Sequence, residues 1–209
     1  MPPLLRRGLY LITPDLADPA PLPARVAPLL PYAAVLQLRL KRAAAGAVAE
    51  VAHALAAQCR AAGVAFVVND DPHLARAVGA DGVHLGEHDG DLASARTLLG
   101  QAALIGVSCY DDLARAQRLA DEGADYLAFG AFHPSPTKPQ ARRATPALLA
   151  AAAALGRPRV AIGGITPHNG RALVAAGADL LAVISGVFDA DDPVAACRAY
   201  LTCFDEPTA

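Results

Sequence analysis

The chain has no tryptophan, and aromatic residues make up only 5% of its 209 residues. Its formal net charge is −2, and its lysines and arginines form no stripe. A nucleic-acid-binding face, which needs clustered cations and stacking platforms, has little support. The four cysteines, Cys59, Cys109, Cys197 and Cys203, make no CxxC pair and no zinc-finger spacing. They read as small buried thiols in a reducing cytosol, which points to a cytoplasmic protein. Long uninterrupted apolar runs are missing as well. The most apolar stretch near the start, Leu22 to Leu40, is broken by Pro23, Arg25, Pro28 and Pro31, so no membrane helix is expected. Arg6 and Arg7 are followed by no apolar segment of the kind a secretory signal requires.

What is present is a 54% hydrophobic chain, read here as one domain over residues 1–209. A chain of this size buries roughly 70% of the surface it exposes when unfolded, so it needs no covalent staples. Short runs rich in Val, Ile, Leu and Ala alternate with stretches of helical composition. The strands are expected at Leu9–Thr13, Ala34–Leu38, Ala65–Val68, Gly82–Leu85, Leu104–Ser108, Tyr126–Gly130, Val160–Gly163 and Leu180–Ile184. They are apolar almost throughout, as strands covered on both faces are, and hence parallel. The clearest helices are expected at Ala47–Ala62, Asp91–Leu99, Leu113–Glu122, Pro146–Leu155 and Asn169–Ala176, with a last one from Pro193 to about Leu201. Thr145-Pro146, Thr166-Pro167 and Asp192-Pro193 read as caps followed by Pro in the first turn. An internal echo, Gly79-Ala80-Asp81, Gly123-Ala124-Asp125 and Gly177-Ala178-Asp179, sits between a helix and the next strand each time and reads as purely structural. The sum is a single α/β (β/α)8 TIM barrel near its lower size limit. An open doubly wound sheet is the alternative, but no GxGxxG follows the first strand.

In such a barrel the residues just after each strand share one mouth. Gln37, Arg39 and Lys41 alternate with leucines at the end of strand 2 and so share a face, where two cations and an amide would bind a polyanion such as pyrophosphate. Asp70 and Asp89 follow strands 3 and 4 and suit a hard divalent cation, Mg²⁺. Asp71 and Asp91 fit helix capping better than their neighbours do. His84 and His88 are four apart, but a strand end and Gly86 intervene, which is the wrong geometry for a helical zinc pair. His84 is expected to be a hydrogen-bonded buried residue, His53 and His73 helix-surface residues, and His168 a residue in the first turn of a helix. Ser108 ends strand 5 with a hydroxyl that can donate to an anion. Its sequence context identifies no histidine partner. The segment Gly130 to Lys138, GAFHPSPTK, leaves strand 6 and carries Ser135, Thr137 and Lys138, which read as a phosphate clamp. Gly163-Gly164 and Ser185-Gly186 after strands 7 and 8 would let backbone amides approach a second phosphate. With no nucleophilic triad in view, the chemistry reads as driven by a departing pyrophosphate.

These residues, in this order, resemble the thiamine-phosphate synthase family. The likeness rests on Gln37 to Lys41, Asn69-Asp70, Asp81 to Gly86, Gly106 to Ser108 and Gly130 to Lys138, and spans Tyr10 to about Phe188. It implies a transferase that joins hydroxymethylpyrimidine diphosphate to hydroxyethylthiazole phosphate and releases pyrophosphate and thiamine phosphate. It further implies that Gln37, Arg39 and Lys41 hold the diphosphate, that Asn69 sits beside it and the pyrimidine, and that Asp70 and Asp89 bind Mg²⁺. Ser108, Ser135, Thr137 and Lys138 would contact the pyrophosphate or its neighbours, with Lys138, Ser108, Arg39 and Lys41 as the catalytic residues. Gly164 and Ser185 would belong to the thiazole phosphate site. The chain departs from the family pattern at Glu87, where Gln is usual, at Ala131, where Pro is common, and at His133, where an apolar residue is commoner.

The rival readings are a thiazole tautomerase of the same superfamily, with His84 or His133 as acid/base, and a non-catalytic barrel that binds thiazole phosphate. A tautomerase has no diphosphate to ionise, so Arg39, Lys41, Asp70 and Asp89 speak against it. The partners expected are small molecules, with neither nucleic acid nor membrane, and the composition leaves room for a homo-oligomer.

Overall fold

The structure, a computed structural model, describes residues 5–134 and 142–205. Among these residues eight parallel strands close into a barrel in chain order: β1 (Gly8–Ile12), β2 (Ala33–Leu38), β3 (Ala65–Asn69), β4 (Gly82–Leu85), β5 (Leu104–Tyr110), β6 (Tyr126–Gly130), β7 (Arg159–Ile162) and β8 (Leu180–Val183). β1 pairs with both β2 and β8, which closes the barrel and excludes the open sheet. The helices around it are α1 (Leu22–Val26), α2 (Ala45–Ala62), α3 (Pro72–Val78), α4 (Leu92–Leu99), α5 (Leu113–Asp121), α6 (Pro146–Ala151), α7 (Pro167–Ala175), α8 (Ser185–Phe188) and α9 (Pro193–Leu201). None of the helices is long and apolar enough to cross a membrane, among the described residues.

The sequence pattern places the strands well, sets no bounds for α3 although Asp71 reads as its cap, and misses α1 and α8. α1 is five residues hemmed by prolines, α3 is seven, and α8 is four residues whose composition continues an apolar strand. Asp71, Asp91, Asp112 and Asp192 cap α3, α4, α5 and α9, each accepting a backbone N–H three residues on. Thr166 caps α7 in a reciprocal capping box with Asn169. Thr145 was expected to do the same for α6, yet its side chain makes no capping bond there.

The Gly-Ala-Asp echo has a definite mechanical role at the barrel bottom. The carboxylates of Asp81, Asp125 and Asp179 accept the backbone N–H groups of Phe66, Ile105 and Arg159, at 2.8, 2.7 and 2.9 Å. The backbone N–H of each aspartate returns a bond to the carbonyl of the same residue. Each unit thus ties the loop before an even-numbered strand to the start of the strand preceding it. Arg96 and Arg159 neutralise two of these carboxylates.

Apolar side chains lie in two layers. The larger fills the space between barrel and helices, and includes Leu9, Leu11, Leu36, Leu55 and Phe129. The smaller fills the barrel itself, with Tyr10, Val35, Val67, Tyr126, Val160 and Leu180 among its members. All four cysteines are free and buried.

Burial pushes the Cys59 and Cys109 thiols up to about 12, Cys197 to about 11 and the Tyr200 phenol to about 12. Each of these groups ionises more readily unfolded than folded. Their stabilising contribution is therefore complete below an ordinary thiol value of 9.0 and is lost as pH climbs towards 11 to 12. Urea midpoints should hold level up to about pH 8 and fall steadily above about pH 9, with thiols resistant to alkylation until the chain unfolds. A midpoint unchanged across that alkaline range would contradict this burial.

Candidate active site at the barrel mouth

The C-terminal ends of the strands open into a cavity of about 570 Å³. Its lining divides by strand. β2 to β5 contribute Gln37, Asn69, His84 and Ser108, β6 to β8 contribute Ala128, Ile162 and Ala182, and β1 contributes Tyr10 to the first side and Ile12 to the second. One side of the throat offers hydrogen bonds and the other offers apolar surface.

The polar side is wired together below the rim. His84 Nε2 lies 2.9 Å from Ser108 Oγ, and His84 Nδ1 lies 3.1 Å from the Tyr126 hydroxyl. The Tyr126 and Tyr10 hydroxyls are 2.8 Å apart. Tyr10 donates to Gln37 Oε1 at 2.7 Å, and Gln37 Nε2 donates to Asn69 Oδ1 at 2.6 Å. Six residues from six adjacent strands form one continuous row. Tyr10, Gln37, His84 and Tyr126 are buried within it. Burial raises both phenols, with mutual interaction adding to it at Tyr10, so both stay neutral. Ser108 therefore does have a histidine neighbour, contrary to the sequence reading. That histidine lies 24 positions earlier, and only the pairing of β4 with β5 brings it alongside.

A charged rim stands above the row. β2 ends at Leu38, so Arg39 and Lys41 are not strand residues as the alternation suggested but leave the barrel in the loop beyond. That loop is pinned by β1's own loop: Asp15 Oδ1 accepts from the Lys41 and Arg42 backbone N–H groups at 2.7 and 3.1 Å. Arg39 lines the cavity and sits 3.5 Å from Asp15. Lys41 Nζ is 2.8 Å from Asp70 Oδ2. Asp70 adopts a left-handed backbone, φ 66°, which short polar side chains tolerate better than most. Its carboxyl lies near that of Asp89, which accepts the Gly86 N–H at 3.0 Å. Burial, then the Asp70 carboxyl, raise the Asp89 pKa, while Gly86 and Lys41 pull it down. Two neighbouring carboxylates, one of them paired with Lys41, fit a hard cation that takes its other oxygens from phosphate and water. Among the described residues no group of three or more His, Cys, Asp or Glu converges on one point.

Glu87, the departure from the family pattern, is paired. Arg142 donates to it at 2.7 Å, approaches Asp111 at 3.8 Å, and lies 4.2 Å above the Tyr110 ring. Its negative charge is thereby turned towards Arg142. On the opposite side Gly163, Gly164, Ser185 and Gly186 line the cavity. Gly164 has φ 60° and backs onto His133 and Pro134, so a side chain there would collide with them. Ser135, Thr137 and Lys138 lie outside the described residues.

The structure thus gathers Gln37, Asn69 and Ser108 in one hydrogen-bonded row, Lys41, Asp70 and Asp89 in one charged cluster, and Gly164 and Ser185 across the cavity. Sequence reasoning missed Tyr10, Asp15, Tyr126 and Arg142. Thr13-Pro14-Asp15 was legible, as polar residues after strand 1. The tyrosines were not, because they look like core residues of apolar runs.

A family profile described as thiamine monophosphate synthase matches residues 9–187. A thiamine-phosphate synthase of Xanthomonas campestris pv. campestris is 60% identical over 200 residues, covering 96% of this chain and 97% of that protein. One from Azoarcus sp. (strain BH72) is 56% identical over 200 residues, covering 95% and 97%. Among solved structures, thiamine phosphate pyrophosphorylase from Pyrococcus furiosus superposes with TM-score 0.85 at 32% identity, over 95% of this chain and 96% of that one.

The row requires space that one residue provides. Gly106 faces the Tyr126 ring across the β5–β6 pair, and any Cβ at 106 would overlap it. Gly106→Ala should cost about 1–3 kcal/mol or more in a urea melt. A variant with wild-type stability would show that Tyr126 is not held where it stands.

Proposed function

Because the chain belongs to the thiamine monophosphate synthase family, we propose that its mouth ionises hydroxymethylpyrimidine diphosphate and joins the resulting methylene to hydroxyethylthiazole phosphate. The observation that carries this reading is the charged rim, where Lys41, Asp70 and Asp89 meet beside Arg39 and above the Asn69 end of the row. The products are thiamine phosphate and pyrophosphate, and the enzyme is a transferase.

In this reading Arg39 and Lys41 bind the diphosphate, with Gln37 and Asn69 at the pyrimidine below it. The methylene C–O bond breaks and its electron pair leaves with pyrophosphate. The thiazole nitrogen supplies the pair for the new C–N bond. No nucleophile or proton relay of the protein is consumed, so the protein's task is to stabilise charge on the departing group and keep water out. Ser108, Ser135, Thr137 and Lys138 would stabilise that charge, each positioned donor contributing about 3 kcal/mol to barrier lowering. Asp70 and Asp89 would hold Mg²⁺, which when bound supplies Lewis-acid stabilisation of the phosphates. Gly164 and Ser185, with neighbouring backbone amides, would take the thiazole phosphate. The apolar side formed by Ala128, Ile162 and Ala182 suits the faces of the two rings. The chain would work in the cytoplasm on small molecules, alone or as a homo-oligomer.

A coupling assay with both purified substrates tests the reading. Thiamine phosphate and pyrophosphate should form with Mg²⁺ and not in excess EDTA, and Lys138→Ala should lower turnover at least about 100-fold with folding intact. Isomerisation of the thiazole alone would establish a tautomerase instead. Binding of thiazole phosphate without turnover would leave the non-catalytic barrel.

A further inference from the structure

The row through the throat obeys a strict count of hydrogens. Each of its five contacts needs one hydrogen, and with a singly protonated imidazole every member between the ends supplies one and receives one. In the structure Gln37 donates to Asn69 and Tyr10 donates to Gln37. The Tyr10 hydrogen being committed, Tyr126 must donate to Tyr10. The oxygen of Tyr126 then accepts from His84 Nδ1–H, so His84 Nε2 is bare and takes the Ser108 hydrogen. At one end Ser108 shows only lone pairs to the cavity. At the other, Asn69 has its carbonyl engaged and retains its NH₂ group for the ligand.

One other arrangement gives each contact of the row one hydrogen and strands no tyrosine hydrogen, and it is the complete reversal. If Ser108 gives its hydrogen to a ligand, His84 must carry its proton on Nε2. Tyr126 then donates to Nδ1 and Tyr10 to Tyr126. Gln37 presents its NH₂ to Tyr10, and Asn69 donates to Gln37 and turns its carbonyl outward. A mixed arrangement leaves a buried contact with two hydrogens or with none, or makes one tyrosine accept from both neighbours and strands its own hydroxyl hydrogen in the interior, which buried polar groups avoid. We propose that Tyr126 is a positioning residue that ties the hydrogen-bond polarity of Ser108 to that of Asn69, so that an anion taking the Ser108 hydrogen also obliges Asn69 to offer its carbonyl oxygen.

The consequence is selectivity by combination. The site accepts an anion at Ser108 together with a ring donor at Asn69, or neither, and a diphosphate carrying an aminated heteroaromatic ring is such a ligand. This rests on the reading that Ser108 faces an anion. Tyr126 suits the role because, alone in the row, it does not line the cavity, so removing its hydroxyl takes no contact from the ligand. Both phenols are also kept neutral by burial and so retain the hydrogens the count requires.

The test is ¹⁵N NMR of the full-length chain, labelled in histidine and in side-chain amides, with inorganic pyrophosphate and Mg²⁺ as the probe. His84 should carry its proton on Nδ1 alone without the probe and on Nε2 with it, and the Gln37 and Asn69 amide signals should shift together with it. In Tyr126→Phe the amide signals should no longer follow the imidazole. Without any ligand, Tyr10→Phe should turn the single His84 tautomer into a mixture, because it frees the Tyr126 hydrogen. An unchanged tautomer on binding, amides that still follow in Tyr126→Phe, or the same tautomer ratio in Tyr10→Phe and the native chain would each overturn the proposal. The readout does not require turnover. Absent coupling activity with an intact tautomer pattern would sink the synthase reading alone, and normal activity without the pattern would sink the wire alone.

Discussion

Polar side chains can be buried in the throat of a closed barrel only if they satisfy one another, and the rest of this structure depends on how that is done. Gln37, Asn69, His84 and Ser108 come from four adjacent strands whose inward positions would ordinarily be filled by aliphatic residues. Two tyrosines from β1 and β6 reach across to join them, at 2.8 Å between hydroxyls. Each tyrosine supplies apolar bulk to the barrel interior and a hydroxyl to the row, so one residue type closes the floor and completes the wiring. Glycine at 106 leaves the room for this.

Above that floor the mouth is organised by charge. Asp15 fixes the loop after β2 through two backbone N–H groups, so Lys41 stands beside Asp70 although its side chain is half exposed. The same principle explains why Glu87 does not disturb the acidic pair. Arg142 engages it from the far side, stacked on Tyr110, so the additional carboxylate has its own cation. A site of this kind stabilises a departing polyanion by placement of charge alone, in keeping with the lack of a nucleophilic triad in the sequence.

The barrel was legible because strands covered on both faces leave an unbroken apolar signature and because Gly-Ala-Asp marks the entry to three of them. The charged residues were legible because Arg39, Lys41, Asp70 and Asp89 have no other good reason to follow apolar runs. What stayed hidden was relational. Nothing near Ser108 in the chain announces His84, because the pairing of neighbouring strands creates that contact. Tyr10 and Tyr126 read as core, which they are, and their hydroxyls acquire meaning only when the barrel closes. The alternation of Gln37, Arg39 and Lys41 suggested one continuous strand face, yet β2 stops at Leu38, where Thr13 and Asp15 take over the backbone N–H groups of Arg39 and Lys41. Short helices such as α1 and α8 lack enough turns for a periodic signal.

The central claim is that diphosphate departure is stabilised on the β2–β4 side of the mouth. The most direct measurement is a crystal structure of the chain with Mg²⁺, pyrophosphate and thiamine phosphate. The account predicts pyrophosphate against Arg39 and Lys41, with a metal ion held by Asp70 and Asp89. Pyrophosphate seated against Gly164 and Ser185, with Asp70 and Asp89 bare of metal, would contradict it.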